Sequence, residues 1–314
     1  MSCKQLAGRP KLETLMKALL VLIAAILGLA SVPAMAKVKI VAAENFYGGV
    51  AAQIAGPDAE VSSILSNPNQ DPHEFTTNAS TAREVADADI VIYNGLGYDG
   101  WMEKLLGTPG KPDRVVICVA QLIGAKDGDN PHIWYSPKTM PALADKLAGI
   151  LAQRDPTRGE GYVQRQGDFK VSMEPVEAMI HFIKTNVTVT ATEPVFGYMA
   201  DALGFKMLNY DFQVSVMNDT EPSAAQTASF EKSLTRRAVR ILFYNQQVTD
   251  PTTERLKKLA LQSGVPIVGV TETQPANCKT YADWMLREIK AVEAALSNKP
   301  GLRDMPYERP EKDQ

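Results

Sequence analysis

The stretch DIVIYNGLGYDGWMEKLL, residues 89–106, decides the fold. Its first half is a β-branched run, Ile90-Val91-Ile92, and its second half is a helical pattern entered through glycines. A strand that passes through a tight turn into a helix is half of a strand–helix–strand unit. The same alternation recurs along the chain. KVKIVAAE (37–44), EVSSIL (60–65) and RVVICVA (114–120) are strand candidates around it, and NVTVTATE (186–193), KMLNYD (206–211), VRILFYN (239–245) and VPIVGVTE (265–272) form a second group of four. GGVAAQIAG and PVFGYMADALG supply helices after the first and fifth strands. This order implies parallel sheets with crossover helices, an α/β class with two similar lobes.

Between the two groups lies a helical stretch. PKTMPALADKLAGILAQRD (137–155) spaces Met140, Leu143, Leu147 and Leu151 for one buried face. Residues 156–185 continue in helix formers and read as a linker helix in which Gly167 and Pro175 predict a kink or a break. Met179, Ile180, Phe182 and Ile183 read as its core side, with His181 packed or half-exposed among them. The organisation expected is a signal peptide over 1–36, a first lobe over 37–155, the linker over 156–185, a second lobe over 186–298 and a flexible tail over 299–314.

The leader reading rests on Lys4, Arg9, Lys11 and Lys17, an apolar run from Ala18 to Ala30, and the small-x-small site Ala34-Met35-Ala36. Its loss removes four basic residues and one acid, so the formal charge moves from −3 to −6. That acidic balance argues against nucleic acid as a partner, and the leader predicts an exported, periplasmic protein. Cys118, in an apolar run, reads as a small buried hydrophobe; a disulfide to Cys278 stays open.

Gly95-x-Gly97-x-x-Gly100 matches a dinucleotide fingerprint locally. Its context is wrong, because the motif belongs after the first strand of its unit and an acid belongs at the end of the next. Here the next strand ends in Ala120-Gln121, and the glycines read as a tight loop.

The chemistry lies in the loops. Of three histidines in 314 residues, two stand directly after a proline: Asp71-Pro72-His73 and Asn130-Pro131-His132. Each follows a first-lobe strand, so both are expected near the carboxyl edge of that sheet, where open α/β sheets bind ligands. In the second lobe Glu193 sits between the end of VTVTATE and a helix started by Pro194 and stopped by Gly204, and Glu272 ends VPIVGVTE. Two imidazoles from one lobe and two carboxylates from the other make a cage with the charge for a divalent cation. The gaps of dozens of residues exclude a zinc-finger or HExxH site.

At these four segments the chain resembles the periplasmic metal-binding components of ABC transporters for zinc, manganese or iron. NPNQDPHEFTTNAS is similar to that family's first-ligand segment, GDNPHIWYSP to the second, TATEPVFGYMADALGF to the third and VPIVGVTETQP to the fourth. The resemblance implies His73, His132, Glu193 and Glu272 as ligands of one transported ion, Mn2+, Zn2+ or Fe2+. It also implies a rigid linker with little hinge closure, a monomer, and a membrane permease as partner. Four features depart from it: the loop AKDGDNP before the second-ligand segment lacks the histidine-rich run that zinc-type members often carry, and three residues differ. Asn130 stands for the usual Asp, Glu272 for the usual Asp, and Asn245 for a frequent glutamate. Glu193, a harder donor than histidine, biases the site toward manganese, and Glu74 and Asn245 are the remaining polar candidates around it. The alternatives are an adhesin or scaffold with a structural metal, and a metal-dependent hydrolase using Glu74 as base.

Overall fold

The structure is a computed structural model that describes residues 37–67, 75–248 and 250–297. In the first lobe β1 (Val38–Glu44), α1 (Asn45–Ala55), β2 (Ala59–Leu65), α2 (Ala79–Ala86), β3 (Ile90–Tyr93), α3 (Gly100–Leu106), β4 (Val115–Cys118), α4 (Val119–Leu122) and α5 (Thr139–Arg154) follow one another. The long α6 (Gly159–Ile183) leads to the second lobe. There β5 (Thr188–Ala191), α7 (Gly197–Ala202), β6 (Lys206–Leu208), α8 (Tyr210–Met217), α9 (Ala224–Thr235), β7 (Leu242–Asn245), α10 (Pro251–Gln262), β8 (Ile267–Val270) and α11 (Tyr281–Leu296) complete the chain.

Each lobe holds a four-stranded parallel sheet, in the orders β2-β1-β3-β4 and β6-β5-β7-β8. All eight sequence-predicted strands are present. Parallel strands are covered on both faces, and so IVIY of β3 is buried at every position rather than alternately. In both sheets the chain reverses direction of winding between the first and third strands of its lobe, β1/β3 and β5/β7, which puts a crevice at their carboxyl ends.

The helices bury the faces their spacing predicts. Met140, Leu143, Leu147 and Leu151 of α5 are fully buried, as are Val195, Met199 and Leu203 around α7. α6 differs from expectation in two ways. It runs through Gly167 and Pro175 without a break. Pro175 lies on the exposed side, where water can satisfy the carbonyl that the missing N–H leaves. Its buried stripe is Phe169, Met173, Val176, Ile180 and Ile183; Phe182 lies on the other side and is 75% exposed, and His181 is exposed too. Cys118 is half-buried, Cys278 is buried, and both are free thiols. No described helix is long and apolar enough to cross a membrane.

One hydrophobic core runs through both lobes. Phe46 and Tyr47 of α1, Trp134 and Tyr135 after the first sheet, Phe196 and Phe243 of the second lobe, and Tyr281 and Trp284 of α11 belong to the same cluster. Hydrogen bonds cross the same boundary. Tyr135 donates to the Thr271 carbonyl at 2.7 Å, Tyr281 to the Trp134 carbonyl at 2.6 Å, and Asn45 and Gln274 exchange a reciprocal pair. The described residues from Val38 on form one compact unit.

Glu288 of α11 is buried in this core and accepts a hydrogen bond from the Trp284 indole at 3.1 Å. Burial pushes its pKa up to about 8. The folded protein therefore binds a proton here that the unfolded chain releases above its ordinary value near 4.5. Stability from this group is full below that value and is lost as pH rises toward about 8. At about 1.4 kcal/mol per pKa unit the slope is measurable. Glu288→Gln should flatten the decline of melting temperature between pH ~5 and ~8. An equally steep decline in the variant would mean that Glu288 is ionised when folded.

Candidate functional site

His132, Glu193, Asn245 and Glu272 are all buried, and each sits at the carboxyl edge of its sheet. His132 follows the loop after α4, and a short helical turn, Ile133–Tyr135, fixes the chain beyond it. Asn130 orients the ring. Its amide nitrogen donates to the Pro194 carbonyl at 2.7 Å, so its carbonyl oxygen faces His132 and accepts from the backbone N–H at 3.1 Å and the ring Nδ1 at 2.6 Å. Nδ1 therefore carries the proton, and Nε2 is left with its lone pair. Nε2 is buried with no hydrogen bond to any described residue. It faces Glu272 Oε2 across the lobe boundary at 3.7 Å. Gly197 lets the Asn130 amide come this close, because a Cβ there would stand 2.9 Å from its nitrogen.

Glu193 occupies the N-cap position of the turn Pro194–Phe196 in extended conformation, yet its side chain makes no capping bond. The carboxylate turns instead toward Asn245, the last residue of β7, whose Nδ2 stands 3.4 Å from Glu193 Oε2 and 2.5 Å from Glu272 Oε1. The Asn245 carbonyl accepts the Gln247 backbone N–H at 3.0 Å. Gln247 in turn accepts the backbone N–H of Glu272 and of Thr273. Tyr98 donates its hydroxyl to Glu272 Oε2 at 3.1 Å. Burial, and then the Glu272 charge, push the Tyr98 pKa well up, which keeps that proton in place.

His132 and Glu272 are thus brought together, and Asn245 joins Glu272 to Glu193. Among the described residues, no three His, Cys, Asp or Glu side chains stand close enough to hold a metal ion together. His73 and Glu74 lie outside the described residues. His181 is remote in role, with Nδ1 on the Glu177 carbonyl of its own helix. A cleft of about 640 Å3 adjoins the cluster; Tyr98, Asn130 and Pro131 line it from one lobe, and Tyr210, Asp211 and Met217 from the other.

Residues that no sequence motif marks support the first-lobe side. Glu44 at the end of β1 and Asp99 before α3 are fully buried at the β1/β3 crevice. Burial, then the neighbouring Asp99 charge, raise the Glu44 pKa well above its ordinary value. Burial also raises Asp99, to about 6, against the pull of the backbone N–H groups it binds. Those are the N–H groups of Asn94 and Gly95, at 2.6 and 2.9 Å. In the glycine motif Gly95 and Gly97 have positive φ, as a tight loop requires, and a carboxylate of the chain itself takes the loop's amides. Asn94 accepts from Tyr47 at 2.6 Å and donates to the Pro131 carbonyl at 2.9 Å, next to His132. No spacing rule links Glu44 to Asp99 or Asn94 to Pro131; only the sheet order does.

The profile of a known family, described as zinc-uptake complex component A, periplasmic (ZnuA), matches residues 40–295. The chain belongs to the ZnuA family. Among curated relatives, the manganese-binding lipoprotein MntA of Halalkalibacterium halodurans is 26% identical over 82% of this chain and 88% of its own length. The zinc-binding lipoprotein AdcA of Streptococcus pneumoniae is 22% identical over 77% of this chain and 52% of its own. Among solved structures, the periplasmic zinc-binding protein TroA from Treponema pallidum superposes with a TM-score of 0.69 at 18% identity, covering 83% of this chain and 99% of TroA. A manganese-bound periplasmic metal-binding protein from Candidatus Liberibacter asiaticus gives 0.68 at 20% identity, over 83% and 100%. These structures share the two-sheet fold. The ZnuA match takes in β1 from Ile40 on, the other seven strands, and each of His132, Glu193, Asn245 and Glu272.

Proposed function

We propose that this chain captures a divalent transition metal ion, manganese, zinc or ferrous iron, between its lobes and delivers it to the membrane permease of an ABC transporter. The carrying observation is the buried His132 Nε2, proton-free by virtue of Asn130 and 3.7 Å from a buried carboxylate of the opposite lobe. A neutral imidazole with its second nitrogen held by an outer partner is the form in which histidine binds metal. His132, Glu193 and Glu272 are three of the ligands, and His73 is the fourth, on the strength of its Pro-His segment. Family membership, and relatives named as manganese- and zinc-binding proteins, support a transported ion over a structural metal or a hydrolytic one. The protein works in the periplasm, as a monomer, after loss of residues 1–36.

Ligand groups must shed protons to bind metal, so binding and stability are linked through pH. Saturating zinc or manganese should raise the melting temperature of metal-free protein by several degrees at pH ~7, because the ion binds only the folded state. The gain should disappear at pH ~4, where free imidazole is protonated. An undiminished gain at the lower pH would rule out histidine ligation, and no gain at neutral pH would remove the proposed function.

A further inference from the structure

The two sheets differ at their amino edges, the edges away from the candidate site. In the first lobe the cations there are paired. Lys111 meets Asp89, just before β3, at 2.7 Å, and Arg154 meets Asp113, just before β4, at 3.5 Å. The corresponding turns of the second lobe hold Lys184 after α6, Lys206 at the start of β6, Arg236 and Arg237 after α9, and Arg240 before β7. All five are exposed, and residues 184–187, 203–206, 235–241 and 262–266, which form these turns, include no Asp or Glu. No carboxylate among the described residues pairs with any of the five. Backbone bonds gather them around the start of β5: the Lys206 N–H donates to the Val187 carbonyl and the Arg240 N–H to that of Thr188. Arg237 is fixed by its Nε, which donates to the Ser263 carbonyl at 2.6 Å. In the last turn of α6, two residues before Lys184, stands Phe182, 75% exposed.

We propose that this face docks on an anionic phospholipid surface, with the cations on the headgroup phosphates and Phe182 inserted between headgroups. Like charges gathered without counter-charges repel one another, and an anionic partner relieves that repulsion. The acidic balance of the whole chain does not oppose it, because at physiological salt a charge is felt over only about 8 Å. Cations alone would serve any anionic partner. The bare aromatic beside them selects lipid, since an apolar ring gains by entering the boundary between headgroups and acyl chains while the basic groups stay outside it. Docking leaves Glu193 and Glu272 uncovered, because they lie at the carboxyl edge of the same sheet. A chain held in this way searches for a membrane partner in two dimensions instead of three. The inference needs an exported chain and stands whether or not the ion reading holds.

The test is co-sedimentation with vesicles, using the chain from Lys37 on, whose residues from Val38 form one compact unit. The leader is left off because its apolar run would enter any bilayer. Vesicles one-third phosphatidylglycerol in phosphatidylcholine should bind the protein at least tenfold more than phosphatidylcholine alone, and added salt should weaken the binding. Lys184→Glu/Arg240→Glu should lose at least tenfold, and Phe182→Ser severalfold. Lys104→Glu/Lys146→Glu, on exposed helix faces of the first lobe, makes the same change in net charge and should bind as wild type does. Zinc affinity and melting temperature should be unchanged in all three variants, which separates docking from the metal site and from folding. No preference for the anionic vesicles overturns the proposal, and so does binding that survives the Lys184 and Arg240 reversals or falls equally in the first-lobe control. Capture on immobilised polyglutamate without vesicle binding would assign the face to an acidic protein and overturn the lipid reading.

Discussion

His132→Ala should bind zinc and manganese on the order of a hundredfold more weakly than wild type, with the fold retained. Loss of even an outer partner of a metal ligand typically costs about 10–100-fold, and His132 is the donor itself. Its imidazole is held ready for an ion. Asn130 keeps the proton on Nδ1, Asn94 holds the Pro131 carbonyl, and the ring is packed edge-on against Trp134 at 5.2 Å. A donor already held in place by its neighbours loses little entropy on binding, so removing it is felt nearly in full. Titration calorimetry on metal-free protein measures the effect, and His181→Ala, on an exposed helix face, serves as the control that should bind as wild type does. An affinity within threefold of wild type for His132→Ala would sink the assigned site.

Trp284→Ala should destabilise the protein by about 3–5 kcal/mol, the range for emptying a buried aromatic site. Trp284 reaches from α11 into the first lobe, with Phe46 at 5.8 Å and Tyr135 at 5.5 Å between ring centres. Its removal opens a cavity at the meeting of both lobes and takes away the indole donor of Glu288, a group already neutral through burial. Truncation thus combines lost packing with a stranded polar group. Denaturant unfolding of the metal-free protein reads the loss. Trp284→Phe, which refills much of the volume but not the hydrogen bond, should fall between the two. A loss under about 1 kcal/mol for the alanine variant would mean that the shared core does not hold the lobes together.

The sheets are legible in the sequence because their strands are buried on both faces and read as unbroken β-branched runs, IVIY above all. The placement of Glu193 and Glu272 follows from the same reading, since a residue that ends a parallel strand has only one edge to occupy. What escapes a linear reading is contact between distant segments. Glu44 looks like the last letter of a strand, and nothing in its neighbourhood marks Asp99 as its partner. Tyr98 sits inside a motif that suggests only nucleotide binding, while its actual use is a hydroxyl on Glu272, from the other lobe. Asn245 reads as a loss of charge, and its orientation becomes visible only with the Gln247 N–H in place. Phe182 misleads for a simpler reason: hydrophobic identity outweighs its phase on a helix whose buried stripe passes through Ile180 and Ile183 instead.

The bonds that tie Tyr135 to Thr271, Tyr281 to Trp134 and Asn45 to Gln274 bear on how metal occupancy could be read optically. A donor and an acceptor dye, one on each lobe, report by changing their separation, and lobes stitched at three places through a common aromatic core change it little. Such a pair is a poor sensor on this scaffold, in contrast to scaffolds that close like a jaw. A single environment-sensitive dye on a cysteine at position 217, on the wall of the cleft that Asn130 also lines, would sit beside the residue that orients His132 and would not depend on movement of one lobe against the other.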